Sequence, residues 1–183
     1  NLALSNWAWL FPAVYVGSPV LQALFPLQQV GPEGGCAMPP AGTLLLQICV
    51  AFVLDDICFY SYHRLLHSQP ALYIKYHKIH HTFTAPCVWT SHALHPVEIA
   101  LQSFGALSGP LLVGMSAQMF WLWLAVRQAQ GVLDHTGFDF DPFQWLPGVG
   151  GTKFHDDHHK LYTGNYASCF SAIDDVLGTR VTH

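Results

Sequence analysis

Histidine is the residue type in this chain that is best placed to do chemistry. The sequence of 183 residues holds 12 histidines, against 7 lysines and arginines together. Eight of them fall in one H-x3-H and two H-x2-HH motifs: His63 and His67; His77, His80 and His81; His155, His158 and His159. Residues three or four positions apart share one helix face, so H-x3-H directs two imidazoles toward one point and H-x2-HH directs two toward that face with a third beside them. Neutral imidazole binds iron, zinc, copper and nickel, and the motifs therefore predict metal binding.

The number of histidines indicates two metal ions rather than one. Eight imidazoles exceed the needs of a single tetrahedral site. His135, in the stretch DHTGFD, is a candidate ninth ligand. Two metals with about four or five ligands each fit this count. A lone histidine is more often structural, and His183 at the chain end receives that interpretation.

Other polar residues near the motifs could assist the ligands. His92 and His95 have a metal-compatible spacing; we interpret His95 as an extra ligand or a residue that orients one, and His92 as polar packing. Asp139 lies four residues after His135, so it either completes the site or forms a turn.

Asp56 is a candidate for orienting a ligand histidine, because of its position along the predicted helix. It precedes His63 by seven residues and shares its helix face, so it could orient a ligand histidine. An ionised carboxylate at a membrane border has a high free-energy cost unless it has a partner. The alternative is an interfacial residue that reaches water.

Apolar stretches must position these motifs. Residues 2–27 carry no charge, 28–40 are a Gly/Pro-rich loop, and a helix is predicted over roughly 42–67. Residues 99–126 again carry no charge. A membrane helix needs ~20 residues, so these stretches predict membrane segments. All lysines and arginines lie in or beside the histidine-bearing segments, which indicates that those segments face the cytosol.

Residues 99–126 are expected to enter the membrane and return on the same side, because histidine motifs before and after them must meet. A helix of this length spans ~42 Å, or ~21 Å per arm when folded in half. The hydrocarbon core is ~30 Å thick. We therefore predict a re-entrant hairpin that turns between Gly109-Pro110 and Gly114. The expected fold class is all-α: an integral membrane helical protein with transmembrane or re-entrant hairpins and a cytosol-facing, histidine-rich di-metal site.

Composition excludes several classes of protein. Charged residues make up 10% and the net charge is −4, without a basic stripe, which excludes a nucleic-acid binder. The five cysteines are scattered and form no C-x-x-C pair, which argues against a disulfide framework or a cysteine zinc site. Nucleotide, haem and H-E-x-x-H motifs are missing. The length fits one domain over 1–183, and a first residue other than methionine is compatible with a fragment of a longer chain.

The order of the three histidine motifs resembles the fatty acid hydroxylase / sterol desaturase superfamily of membrane di-iron enzymes. Within it, the chain looks most similar to C-4 methylsterol monooxygenases, over roughly residues 43–179. The matching stretches are LDDICFYSYHRLLH (54–67), LYIKYHKIHHTFTAP (72–86), HPVE (95–98), DHTGFDF (134–140), and GGTKFHDDHHKLYTGNYASCF with DDVLGT (150–179). Asn165, in the GNYAS stretch, is a further candidate for an extra ligand or a residue that orients one.

The resemblance implies a cofactor and a reaction. It implies two iron ions, which zinc could replace in the isolated protein, with O2 and electrons from NAD(P)H delivered by an external reductase and cytochrome b5. The implied reaction is oxidation of a C-4 methyl group of a sterol precursor, in the endoplasmic reticulum membrane. The alternatives are another lipid hydroxylase or a sterol C-5 desaturase of the superfamily, and a non-catalytic metal-binding membrane protein.

Overall fold

The described part of the chain is helical. A computed structural model describes residues 39–139 and 145–182, together with Asn6, Pro19, Val20 and Ala23. The longer helices in these ranges are α1 (Ala41–Ser68), α2 (Pro96–Leu112), α3 (Ala117–Asp134), α4 (Gly151–Leu161) and α5 (Ser171–Leu177). Between α1 and α2 lie a helical turn (Pro70–Leu72), a π-helix (Tyr73–His77) and two 3₁₀ segments (His80–Thr82 and Val88–His92). Apart from the few residues named, the predicted membrane segment 2–27 and loop 28–40 lie outside the described residues.

Helix α1 is apolar and largely unburied along its first half. Its bounds confirm the helix predicted over 42–67 to within one residue at each end. An 18-residue window of this helix has a mean hydropathy of 1.9, yet only 22% of that window is buried. Leu45 and Leu46, for example, expose more than half of their surface. Within the described residues, α1 is the helix long and apolar enough to cross a membrane.

Helix α2 packs closely against α1 through two glycines one turn apart. A Cβ atom at Gly109 would lie 2.5 Å from the Cα atom of Ala51. At Gly105 it would lie 2.9 Å from a carboxylate oxygen of Asp55. Small residues at four-residue spacing let helix backbones approach, as they do in membrane proteins. This contact fixes α2 beside the half of α1 that leads toward the histidines.

The chain folds back after α2, as predicted, and the turn overlaps only the last part of the predicted range, around Gly114. Helix α2 continues through Gly109 and Pro110 to Leu112, and the turn occupies 113–116. Pro110 has no N–H, so it cannot pair with the carbonyl of Ala106 four residues earlier. The indole nitrogen of Trp123 on α3 donates to that carbonyl at 2.8 Å instead. The long-range bond from α3 explains why the proline does not end the helix.

Buried polar contacts join α1 and α3 to the C-terminal segment. The Arg127 side chain on α3 forms an ion pair with Asp55 on α1. The same guanidinium donates to the hydroxyl of Ser168 at 3.0 Å. Asp56, next along α1, accepts backbone N–H bonds from residues 168, 169 and 170 at 2.7 to 2.8 Å. The C-terminal segment is thus held against α3 and against α1, the helix that carries the first histidine motif.

Candidate metal centre

The structure brings all nine histidines predicted as ligands together in two clusters. In each cluster the ligand nitrogens lie within 4.8 Å of one another. All but the half-buried His67 are buried. The five-histidine cluster consists of His63, His67, His77, His81 and His158. The four-histidine cluster consists of His80, His135, His155 and His159.

The spacing within each motif decides which cluster a histidine joins. Residues at i and i+4 enter the same cluster, as His77 and His81 do in the second motif. The residue at i+3, His80, enters the other cluster. The third motif repeats this arrangement with the clusters exchanged: His155 and His159 share one cluster and His158 joins the other. Each H-x2-HH motif therefore contributes to both clusters.

Irregular helical geometry accompanies the second motif. His77 ends the π-helix Tyr73–His77, and His80 begins the 3₁₀ segment His80–Thr82. Single turns of π-helix occur frequently at functional sites, because they re-aim side chains relative to a regular helix. His135 enters from another direction, since it follows the last residue of α3. The four-histidine cluster depends on the α2–α3 hairpin for this ligand.

Backbone carbonyls fix the ring tautomers in the five-histidine cluster. The Nδ1 atom of His63 lies 2.8 Å from the carbonyl oxygen of Tyr166, and that of His158 lies 2.8 Å from the carbonyl oxygen of Gly164. The backbone of Tyr162 interacts with the His67 ring and partly opposes the lowering of its pKa by burial. A carbonyl only accepts, so in a neutral ring the facing nitrogen carries the proton and the other nitrogen keeps its lone pair.

The loop that supplies these carbonyls has an unusual backbone. Tyr162, Gly164 and Asn165 adopt positive φ values of 59°, 74° and 52°. The Asn165 side chain holds the loop: it donates to the carbonyls of Phe154 and Val181 and accepts from the N–H of Val181. Backbone conformations of this kind persist when surrounding contacts determine them. They turn the carbonyls of Gly164 and Tyr166 toward the rings of His158 and His63.

The four-histidine cluster has the same tautomer pattern. His135 Nδ1 lies 2.8 Å from the carbonyl oxygen of Gly131, one turn earlier on α3. His159 Nδ1 lies 3.1 Å from the carbonyl oxygen of Phe83. Both rings therefore present an unprotonated Nε2 to the centre of their cluster.

The distances between Nε2 atoms fit a shared cation. His77 Nε2 lies 3.0, 2.9 and 3.0 Å from the Nε2 atoms of His63, His67 and His81. In the other cluster, neighbouring Nε2 atoms lie 3.1 to 3.4 Å apart. Two nitrogens about 2.1 Å from one ion lie about 3.0 Å apart at a right angle and about 3.4 Å apart at the tetrahedral angle.

Hydrogen bonding within the clusters cannot replace such a cation. A neutral imidazole has one N–H, and carbonyls already take the Nδ1 protons of several rings. Lone pairs that face one another at these distances repel, and a positive ion removes that repulsion. The donor set therefore fits two metal ions, and imidazole suits iron or zinc.

Burial keeps the ligand rings neutral at physiological pH. Burial, together with neighbouring histidines, lowers the pKa values of His77, His80, His155 and His158 well below the usual value. Burial lowers the pKa of His135 to about 3 and that of His159 to about 4. Metal ions bind the neutral form of imidazole, so the site needs no deprotonation step at pH 7.

The remaining predicted candidates lie outside both clusters. Asp56 accepts the three backbone N–H bonds described above rather than orienting a histidine directly. His95 caps α2 by accepting from the N–H of Val97 at 3.1 Å. Asp139 is exposed. Asn165 bonds to backbone groups and acts on the ligand rings only through its loop.

One buried carboxylate at the site was missed from the sequence. Glu98 Oε1 lies 2.7 Å from Nδ1 of His77, and both side chains are almost fully buried. The available signal was its position as the last charged residue before the charge-free stretch 99–126. That position alone does not reveal which histidine it faces, because the partner lies on another segment.

Comparison with known proteins gives a family and several relatives. A model of the fatty acid hydroxylase family matches residues 48–179. The chain is 36% identical over 172 residues to a Dictyostelium discoideum protein assigned by name to the methylsterol monooxygenases. It is 37% identical over 171 residues to methylsterol monooxygenase 2-2 of Arabidopsis thaliana. It is 38% identical over 172 residues to very-long-chain aldehyde decarbonylase GL1-11 of Oryza sativa subsp. indica.

These alignments cover most of this chain but only part of each relative. They include 92%, 90% and 91% of the chain and 61%, 64% and 64% of the Dictyostelium, Arabidopsis and rice proteins. No solved structure matches the chain. The family match runs from α1 to the end of α5 and contains all nine converging histidines. Because the match covers most of the chain and its whole candidate metal centre, the chain belongs to the fatty acid hydroxylase family.

Proposed function

We propose that this chain is the histidine-bearing core of a membrane non-haem di-iron monooxygenase that oxidises a C-4 methyl group of sterol precursors. The observation that carries the proposal is the pair of all-histidine clusters in a chain of this family. The substrate class is supported by the methylsterol monooxygenases among the relatives. When bound, the two iron ions supply the activation of O2.

The chain's own residues bind and orient the metals. Each ring presents Nε2, and the loop carbonyls and Glu98 restrain the rings from the opposite side. Tyrosines border the five-histidine cluster: the Tyr73 and Tyr166 rings lie 5.3 Å from the His67 ring, and the Tyr162 ring lies 5.3 Å from that of His81. These aromatic rings limit the access of water to the half-buried side of the cluster.

The apolar helices suit a lipid substrate. Exposed apolar side chains lie along α1 and on the middle and end of α2, where Phe104 and Leu112 expose 69% and 73% of their surface. Such a surface is stable in a bilayer. We propose an endoplasmic reticulum membrane location with the histidine clusters facing the cytosol, so that a sterol reaches them from the bilayer.

The electrons for O2 reduction come from outside the chain in this proposal, through an NAD(P)H-dependent reductase and a cytochrome b5-type donor. The exposed Lys78 offers positive charge within the second motif, between His77 and His80. Lys153 and Lys160 contribute less, because each pairs with an aspartate on α4. Attraction between such a surface and an acidic donor would weaken with salt.

A second reaction is favoured by one comparison. The rice relatives are named very-long-chain aldehyde decarbonylases and are 36% to 39% identical to this chain. The same clusters could act on a long-chain aldehyde. Sterol and aldehyde differ enough in shape and product for one assay to separate them.

The test uses the full-length protein in membranes with iron, NADPH, O2, reductase and cytochrome b5. A 4,4-dimethylsterol, a Δ7-sterol and a long-chain aldehyde are supplied separately, and products are identified by mass spectrometry. Formation of 4-hydroxymethyl and 4-carboxy sterols supports the proposal, and the His80→Ala variant should form neither. Conversion of only the Δ7-sterol, or only the aldehyde, would assign the chain to a desaturase or a decarbonylase instead.

A further inference from the structure

The partner of His77 differs in kind from the partners of the other ligand rings. His63, His158, His135 and His159 each place Nδ1 against a neutral backbone carbonyl. His77 places Nδ1 at 2.7 Å from the carboxylate of Glu98. Among the described residues, it is the cluster histidine with an acidic side chain at ion-pair distance.

His77 also occupies a central position in the five-histidine cluster. Its Nε2 atom lies within 3.0 Å of three other Nε2 atoms, those of His63, His67 and His81. A group that alters the donor strength of His77 therefore acts on the ligand that contacts most of its cluster. Nothing equivalent faces the four-histidine cluster within the described residues.

Burying the Glu98 carboxylate costs free energy unless a positive charge or a proton donor lies beside it. The residue is 1% exposed, and within the described part of the chain neither its second oxygen, Oε2, nor the facing Nδ1 of His77 makes a regular hydrogen bond. A buried carboxylate with so few partners requires nearby positive charge or a proton donor. His77 and a cation in the five-histidine cluster provide both. The first turn of α2 adds a favourable helix dipole.

We propose that Glu98 is the positioning residue of the five-histidine cluster. With a metal bound in this cluster, the Glu98 carboxylate would take the Nδ1 proton of His77 in a hydrogen bond, fix that ring's tautomer and orientation, and strengthen Nε2 as a donor. Carboxylate–histidine–metal arrangements act in this way, and removing the carboxylate weakens metal binding by about 10- to 100-fold. The two metal positions are therefore unequal, and the five-histidine position is the tighter of the two. This inference rests on the proposed function in that it requires two bound metals.

The test measures metal binding rather than activity. Co(II) is titrated into the full-length, metal-free protein in detergent micelles against a competing chelator, and two equivalents are resolved. Glu98→Gln keeps the size of the side chain and removes its charge. Asp175→Asn is the control, because Asp175 is a partly exposed acid that pairs with Arg180 away from the clusters.

The expected result is that the Glu98 substitution weakens the binding of only one of the two equivalents of Co(II). Glu98→Gln should weaken the tighter equivalent by about 10- to 100-fold and leave the other within about two-fold, whereas Asp175→Asn should change neither. Two unchanged equivalents, or two weakened equally, would overturn the inference. A wild-type protein that binds no Co(II) would instead overturn the proposed metal centre.

A second measurement needs no variant. In zinc-loaded wild-type protein labelled with ¹⁵N-histidine, one ring N–H proton should resonate downfield of the carbonyl-bonded ones. It should also show a nuclear Overhauser effect to the side-chain methylenes of Glu98. If every ring N–H falls in the carbonyl-bonded range, Glu98 does not hold the His77 proton and the inference is wrong.

Discussion

At the scale of single residues, the site depends on where each imidazole keeps its proton. The carbonyls of Tyr166 and Gly164 take the Nδ1 protons of His63 and His158, and the carbonyl of Gly131 takes that of His135. Each of these contacts leaves Nε2 free to bind a metal. The ligand set is thus prepared by backbone groups, which side-chain substitutions elsewhere do not remove.

The same burial predicts how the metal-free protein responds to acid. The pKa values of His135 and His159 are lowered from 6.5 to about 3 and about 4, chiefly by burial. The unfolded chain therefore binds protons first, so stability is complete above pH 6.5 and is lost as pH falls toward the folded pKa values. Each such histidine lowers the free energy of unfolding by about 1.4 kcal/mol for every unit that the pH falls in that window.

The measurement is the denaturation midpoint of metal-free protein in micelles between pH 8 and pH 5. The midpoint should be constant above about pH 7 and fall steeply below about pH 6.5. Zinc-loaded protein is the control and should unfold at lower pH, because metal competes with protons for Nε2. A midpoint that stays level down to pH 5 would contradict the assigned burial of the rings.

At the scale of elements, the α1–α2 contact requires a glycine. A methyl group at Gly109 would meet the Ala51 backbone at 2.5 Å, which forces the helices apart. We expect Gly109→Ala to destabilise the protein by about 1 to 3 kcal/mol, as overpacking does. Gly42→Ala on α1 is the matched control, because nothing lies within 4 Å of a Cβ at that position.

Thermal unfolding of the two glycine variants decides this prediction. Gly42→Ala should match or slightly exceed the wild type, since alanine favours a helix. Equal melting temperatures for Gly109→Ala and the wild type would mean that the helices can separate without loss.

The bond from Trp123 to the Ala106 carbonyl gives a second prediction for these helices. Trp123→Phe should cost about 1 to 3 kcal/mol, because the carbonyl loses its donor while Pro110 still offers none. Adding Pro110→Ala restores a backbone N–H to that carbonyl, so the double variant should regain part of the loss. Trp121→Phe, at a partly exposed ring on the same helix, is the control.

The wild type, Trp123→Phe, Pro110→Ala and the double variant form a double-mutant cycle. The free energy of unfolding of each is measured by chemical denaturation. Additive effects of Trp123→Phe and Pro110→Ala would show that the indole does not replace the missing helical bond.

At the scale of the whole molecule, the hairpin length bears on membrane topology. Helices α2 and α3 contain 17 and 18 residues, which corresponds to about 26 and 27 Å. The hydrocarbon core is ~30 Å thick. Since α2 begins at Pro96, two residues before Glu98, and α3 ends at Asp134, just before His135, the turn at 113–116 should stop inside the bilayer.

Cysteine labelling with a membrane-impermeant reagent tests this topology. In a background without native cysteines, Leu112→Cys, exposed beside the turn, should resist labelling from the lumenal side. Val176→Cys on α5 is the control and should label from the cytosolic side, because its side chain is 84% exposed. Rapid lumenal labelling at position 112 would mean that the hairpin crosses fully.

The sequence by itself predicted which nine histidines converge and much of the helical framework. Spacing along a helix depends only on local geometry, so it indicated that His63 pairs with His67 and that helix α1 ends near these residues. Histidine motifs lie both before and after residues 99–126 and must meet on one side of the membrane, so the sequence likewise predicted that this segment folds back. Pro110 misled the placement of the turn, because its missing N–H is compensated by a residue 13 positions later.

Only the tertiary structure decided how the histidines divide between the two clusters and which groups contact the Nδ1 side of each ring. Whether His80 or His81 joins His135 depends on where α3 and α4 bring their own rings, and spacing within one motif carries no such information. The same holds for Glu98, whose contact with His77 joins segments 21 residues apart in sequence. Long-range contacts set these partners, because ring orientation follows the three-dimensional position of each donor and acceptor rather than its place along the chain.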